Sequence, residues 1–387
     1  MGDGYAVIGS GQYKRANVAY YHLFDKLHTK YNGAMIMKLL RLWIIFLTCL
    51  LMHVLFWKGF FALGPLDLVN SSNRNERNLL RDPVTVYSPS KHNSTVAVCL
   101  LLRNETLYID EWMDFHIALG FAPIYIYDNT LTPDIDLEFW YQRRGDIQKY
   151  VKIIHFPQAP AQIPAYRQCI GHDAANDTFA ALIDIDEFVV LKKHDNIVDF
   201  MEDHCKETCG QISLNWNMLS VSNETSYRPI PTLKRNFHTV GAWGTIKVIV
   251  RPDYVADNFD WGHSVSLKKG HWVDTSGKVI QRPNNWRKQA NGDGPTDVAL
   301  LYHTRFRSPE EFYYKNCIRG DVLQPRGEVP KCTRQQAIQG MYGGQLDTLA
   351  WEQLRKMVPK YGIFDNDTDA TIRTLYPAFP YNFGSLT

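Results

Sequence analysis

The chain has almost no imbalance of charge: 42 Lys and Arg stand against 40 Asp and Glu, a formal net charge of +2 over 387 residues. It also has no basic stripe interleaved with aromatics, so nothing in the composition asks for a nucleic-acid partner. Internal repeats and low-complexity blocks are missing, which excludes a repeat architecture. Cysteine is scarce, with seven in the chain. Cys205-Lys-Glu-Thr-Cys209 could close a small loop or bind metal, but no second Cys or His pair at zinc-finger spacing completes a zinc site. What is abundant is apolar material, 45% hydrophobic and 13% aromatic. That is enough to bury a sizeable core in one large domain with appendages.

The longest apolar run, Leu39 to Phe61, is interrupted only by Arg41, His53 and Lys58. A bilayer needs about 20 apolar residues, and the terminal Arg and Lys can snorkel, so residues 39–61 are expected to form one transmembrane helix. A buried soluble helix or a signal peptide ending near Ala62-Leu63-Gly64 are the competing readings, the latter atypical after so long a leading segment. Residues 1–38 carry Lys14, Arg15, Lys26, Lys30 and Lys38 against Asp3 and Asp25. The positive-inside bias makes them a cytosolic tail and places the bulk of the chain in the lumen. Asn-x-Ser/Thr sequons at Asn70, Asn93, Asn104, Asn176, Asn223 and Asn366 all follow the span, and none lies in the tail. Six of the seven cysteines also follow it, an even number that permits disulfides in an oxidising lumen. Cys317 with Cys332 is the preferred pair, and Cys99, within an apolar strand, reads as a buried thiol. Residues 62–94 are rich in Asn, Ser, Arg and Pro and read as a flexible stem, leaving 95–387 as the lumenal domain.

Within that domain, strands are expected at Val96–Leu102, Ile124–Tyr127, Val151–His155 and Ala180–Ile183. Helices are expected over Tyr108–Leu119 and between Pro164 and Asn176. Alternation of this kind indicates an α/β fold with a doubly wound, mainly parallel sheet. Further on, helices are expected at Asn196–His204, from Ser308 with its good N-cap, and at about Leu346–Val358. Strands are expected at Gln211–Trp216 and Thr245–Val250. Residues 284–296 read as a polar, turn-rich loop.

The fourth strand runs into Asp184-Ile185-Asp186-Glu187-Phe188. In extended backbone Asp184 and Asp186 share a face while Ile185 points back into the core. Two carboxylates at the carboxyl end of a buried parallel strand suit a hard divalent cation, which in turn suits a phosphate. An aspartyl-phosphate hydrolase would want Thr or Val where Phe188 stands. The ends of the first two strands add Arg103, Asn104, Glu105 and Asp128 at the same sheet edge, where a nucleotide can enter. Asn104 and Glu105 could instead cap the helix near Tyr108. Lys247 and Arg251 could meet a diphosphate or an acceptor, or lie on a solvated strand edge.

Several of these motifs coincide with one family. Leu102-Arg103-Asn104-Glu105, Tyr108, Glu111-Trp112, His116-x-x-x-Gly120 and Ile126-Tyr127-Asp128-Asn129 resemble the opening of glycosyltransferase family 92. The resemblance continues through Leu182–Phe188, Lys247-x-x-x-Arg251-Pro252, His263, His303 and Ser308-Pro-Glu310-Glu311-Phe312. It departs where many members carry an aromatic and arginine-rich stretch, present here only as Ala165-Tyr166-Arg167-Gln168. The resemblance implies a GT-A-like fold and a single-pass type II Golgi membrane glycoprotein. It further implies metal-dependent, inverting transfer of a hexose, galactose favoured, from a UDP-sugar to a glycan acceptor. In that framework Asp184, Asp186 and His303, with His263 as second choice, would hold Mn2+ or Mg2+. Arg103, Asn104, Glu105, Asp128, Asp184 and Lys247 would meet the nucleotide sugar. Asp260, Glu187 and Glu311 are the candidate bases. The alternative from another class is a membrane-anchored carbohydrate-binding or scaffold protein on an inactive transferase fold.

Overall fold

The computed structural model describes residues 82–221, 227–259, 261–281, 295–320, 322 and 344–366, all within the unit Ser72–Thr387. The expected tail and span at 1–61 lie outside the described residues. Among those described, no helix is long and apolar enough to cross a membrane.

β1 (Val96–Leu102) is apolar and buried at every position, as a strand covered on both faces must be. Its alternate residues serve two cores. Val96, Val98, Leu100 and Leu102 pack with α1 (Ile109–Ala118) and α2 (Ile135–Arg143). Ala97, Cys99 and Leu101 pack with α3 (Gln162–Gln168). On one side β1 pairs in parallel with β2 (Ile124–Asp128), which pairs in parallel with β3 (Val151–His155). On the other it pairs in parallel with β4 (Phe179–Leu182).

Beyond β4 the expected mainly parallel order fails. β5 (Glu187–Leu191), β6 (Cys209–Ser220), β7 (His238–Val250) and β10 (Ala299–Phe306) complete the path β3-β2-β1-β4-β7-β6-β10-β5. β7 runs antiparallel to both β4 and β6, β10 parallel to β6, and β5 antiparallel to β10. The sheet is therefore mixed. A parallel return needs a crossover of a dozen or more residues, usually a helix, whereas the described link from β6 to β7 contains only the four-residue helix α5 (Thr232–Arg235). The short strands β8 (His271–Asp274), β9 (Val279–Ile280) and β11 (Gln345–Leu346) pair at the margins.

Helix starts follow their caps. Asp134 accepts from the Asp136 and Leu137 amides at α2, and Asn196 from Val198 at α4 (Ile197–His204). Ser308 caps α6 (Pro309–Tyr313) as the sequence predicts, and with Glu311 it closes a reciprocal capping box. α7 (Leu349–Met357) packs Trp351 and Leu354 against the first core. Residues 84–94, expected as part of the stem, lie on the domain instead. Val84 is buried, its amide donating to Asp146 at 3.0 Å, and Ser90 donates to Asp199 at 2.7 Å.

Cysteine usage departs from expectation. Cys99 is bonded to Cys169, not a free thiol, and Cys205 is bonded to Cys209, closing the small loop. Cys317 is also in a disulfide; its expected partner Cys332 lies outside the described residues.

Candidate functional site

Asp184 to Glu187 is a tight turn, not the extended segment expected. The Glu187 amide donates to the Asp184 carbonyl at 3.1 Å, and the Asp184 amide donates back to Glu187 Oε2 at 2.7 Å. Trp112 of α1 pins the turn from below, its indole N–H reaching the carbonyls of Asp184 (3.0 Å) and Glu187 (2.9 Å). Ile185 is buried as predicted. The two aspartates thereby face different partners.

Asp184 is the partly exposed one, its side chain 29% exposed. Tyr166 of α3 donates to its Oδ1 at 3.0 Å, and Lys247 of β7 contacts its Oδ2 at 2.8 Å. Lys247 also stands 3.3 Å from Glu187 Oε2. Burial would pull the Lys247 ammonium down, but the carboxylates of Asp184 and Glu187 outweigh it and hold it well above its usual value. Burial pushes the Glu187 carboxyl up, and Lys247 only partly opposes this.

Asp186 is 1% exposed. β10 lies antiparallel to β5 with His303 opposite Glu187, and that register brings His303 Nε2 to 3.2 Å from Asp186 Oδ2. Lys315, on the turn after α6, places its ammonium 2.5 Å from the same oxygen. Burial alone would raise the Asp186 carboxyl; Lys315 and His303 together hold it well below its usual range. The same burial pushes the His303 imidazole below its usual value, Asp186 opposing only in part. Asp186 Oδ1 and His303 Nδ1 are buried without a hydrogen-bond partner. Trp216 packs edge-on against His303, ring centroids 4.3 Å apart, and lies 5.3 Å from His263. His263 is anchored to the Ile246 carbonyl at 2.8 Å and is held near 4 by burial and by Lys247.

The other expected residues divide. Glu105 joins the Asp186 group: Lys315 is 3.6 Å and Arg307 3.8 Å from its Oε1, and Arg319 pairs with its Oε2. Arg103 donates to the Gly320 carbonyl at 2.8 Å, tying the end of β1 to the same turn. Asn104 is exposed at a left-handed φ of 51°, a conformation asparagine tolerates. Asp128 is turned inward. Its carboxylate accepts from Thr130 and from the Asp134 amide, shaping the loop into α2. Glu311 accepts from Tyr108 (2.9 Å), Arg235 (2.7 and 3.0 Å) and Ser308 (2.6 Å). Asp260 lies outside the described residues. Arg251 is at the far end of β7, over the Phe179 ring at 4.4 Å. Glu111, which as a buried carboxylate requires a partner, caps α5 through the Thr232 (2.5 Å) and Leu233 (2.8 Å) amides.

Tyr166, Lys315, Arg307 and Arg319 were not foreseen as site residues. Tyr166 lies in the one segment matching the family's aromatic stretch, which could have singled it out. The basic residues after Ser308 carry no local signal. Of the expected metal ligands the fold unites Asp186 with His303 and leaves Asp184 on Lys247. Among the described residues no group of three His, Cys, Asp or Glu side chains converges.

The assembled site is a polar, charge-dense cluster at the carboxyl end of β4, where the sheet changes from parallel to antiparallel pairing. Open α/β sheets hold ligands outside the carboxyl ends of their strands where the strand order reverses, which here is between β1 and β4. A model of glycosyltransferase family 92 matches residues 92–314. The chain belongs to glycosyltransferase family 92. A family 92 protein of Ricinus communis is 28% identical over 31% of this chain and 21% of its own length. One of Oryza sativa subsp. japonica is 23% identical over 50% of this chain and 33% of its own. The chain thus matches a third or less of the length of these curated relatives. Among solved structures, the mannosyltransferase PcManGT of Pyrobaculum calidifontis, in complex with GDP-Man and Mn2+, covers 50% of this chain and 56% of its own. It matches at 12% identity with a TM-score of 0.29.

Proposed function

We propose that this protein is a membrane-anchored glycosyltransferase that moves a hexose, galactose favoured, from a UDP-sugar to a glycan acceptor with inversion, in the Golgi lumen. The observation that carries the reading is the meeting of Asp186 and His303. They lie far apart in sequence, yet they stand within 3.2 Å beside Lys315, at a sheet edge that also gathers Asp184, Lys247 and Glu105.

Asp186 and His303 are the pair that would hold a divalent cation. The Asp186 carboxyl is held well below its usual range, the His303 imidazole below its own, and a positively charged group already stands on the carboxylate. A Mn2+ or Mg2+ ion held there would supply Lewis-acid neutralisation of the departing diphosphate. The chain's own residues do the rest. Lys247 and Tyr166 fix the partly exposed Asp184 carboxylate, where it can accept from a ribose or sugar hydroxyl. Arg307, Arg319 and Lys315 give the cluster the positive potential a diphosphate requires. Glu187 and Glu311 are 0% and 2% exposed, and Glu311 is filled by its partners. Of the three candidate bases, this leaves Asp260 to take the acceptor proton.

The test is donor hydrolysis by the full-length chain in detergent, across UDP-galactose and other nucleotide sugars, with and without Mn2+. The expected outcome is Mn2+-stimulated release of UDP, fastest with UDP-galactose. No turnover of any donor, with no nucleotide binding, would return the chain to the carbohydrate-binding alternative.

A further inference from the structure

We infer that Lys315 is a tethered competitor for the divalent cation, seated on the metal-binding carboxylate and displaced when the metal enters. Four observations converge. Its ammonium is 2.5 Å from Asp186 Oδ2, the same oxygen that His303 faces at 3.2 Å. The Asp186 side chain is 2% exposed while that of Lys315 is 25% exposed, so the lysine is the partner of that carboxylate with access to solvent. A second carboxylate oxygen, Glu105 Oε1, lies 3.6 Å from the ammonium and accepts no hydrogen bond. The ammonium can therefore leave Asp186 without losing all its compensation. Finally, the buried oxygen Asp186 Oδ1 and ring nitrogen His303 Nδ1 have no partner, so lysine leaves this pair incompletely satisfied.

Charge balance gives the direction. Lys315, Arg307 and Arg319 stand over the two carboxylates of Glu105 and Asp186, and the nearby Glu311 is already paired with Arg235. A divalent cation added to that set with Lys315 in place would meet surplus positive charge at low dielectric, which is strongly unfavourable. Lys315 must withdraw, or an anion must arrive with the metal. A flexible four-carbon stem ending in a compact charge suits such an exchange better than a guanidinium fork would. Metal affinity is thereby kept weak in the empty site and rises when a diphosphate supplies the missing negative charge. The inference rests on the proposed transferase reading only for why a divalent cation should come to Asp186.

The experiment uses Mn2+ alone, without sugar donor, and follows free Mn2+ by electron paramagnetic resonance in the full-length chain. Lys315→Met is expected to bind Mn2+ at least tenfold more tightly than the unaltered protein, and adding Asp186→Asn to that variant is expected to abolish the gain. Lys315→Arg is expected to bind no more tightly than the unaltered protein. Unchanged or weaker Mn2+ binding in Lys315→Met would overturn the inference, as would a gain that survives Asp186→Asn, or no Mn2+ binding by any of the proteins. Circular dichroism of each variant shows whether it is folded. A tenfold gain with no donor turnover by the unaltered protein would leave the inference standing and remove the transferase reading.

Discussion

Glu311 shows how a carboxylate can look catalytic in a sequence and serve as a keystone in the fold. Burial would raise its carboxyl, but the Arg235 guanidinium, with Arg307 and Ser308, brings it down to about 2. Its oxygens are taken by Arg235, Tyr108 and Ser308. Glu311→Gln leaves Arg235 buried without its counter-charge, and breaking a buried pair from one side costs about 3–5 kcal/mol. The folded value lies below the unfolded one, so the stabilisation is full above about pH 4.5 and is lost as pH falls toward 2. Urea midpoints should therefore show a wide gap between the two proteins at pH 7 that narrows on acidification through that window. A gap of constant width would contradict the assignment. The same site shows what a sequence conceals. Asp186 was legible because it follows an apolar strand, but its partner Lys315 is 129 residues away. Asp184's partners Tyr166 and Lys247 lie 18 and 63 residues away on opposite sides. Neither pairing leaves a periodic trace.

Strands β1, β2 and β3 were readable because each is a short buried run bounded by turn residues, and the cap at Ser308 announced α6. β5 was missed because it begins at Glu187, inside the turn that the two aspartates had suggested was strand. α2 was missed because its Ile135 and Phe139 are exposed while Leu137 and Trp140 are buried, which blurs the helical period. α3 was foreseen only roughly, yet it carries Tyr166 to Asp184 and is fastened to β1 by the Cys99–Cys169 disulfide across 70 residues. Removing both cysteines as Cys99→Ala with Cys169→Ala is expected to cost about 2–5 kcal/mol, the usual worth of a native bridge. Scanning calorimetry would detect this as a lowered midpoint. An unchanged midpoint would mean that packing alone fixes α3. Gly120 fixes the neighbouring junction. It holds φ at +100° and a Cβ there would lie 2.6 Å from the Asn196 amide that caps α4, so only glycine lets α1 end against α4.

The lumenal orientation proposed from residues 1–61 is testable on the folded domain, because the sequon residues Asn93, Asn104 and Asn176 are all exposed. In microsomes the full-length chain should shift in gel mobility on treatment with an N-glycan-removing enzyme, with Asn93→Gln reducing the shift by one step. A chain that never shifts, and that added protease digests completely, would place the domain on the cytosolic side. The mixed sheet has a further consequence for the molecule in a crowded compartment. Among the described residues its outer strand β3 pairs on one side only; it is five residues long and carries exposed Lys152 and His155. Short, charge-bearing borders of this kind make poor templates for another chain. The charge on β3 thereby works against edge-to-edge pairing of copies through that strand.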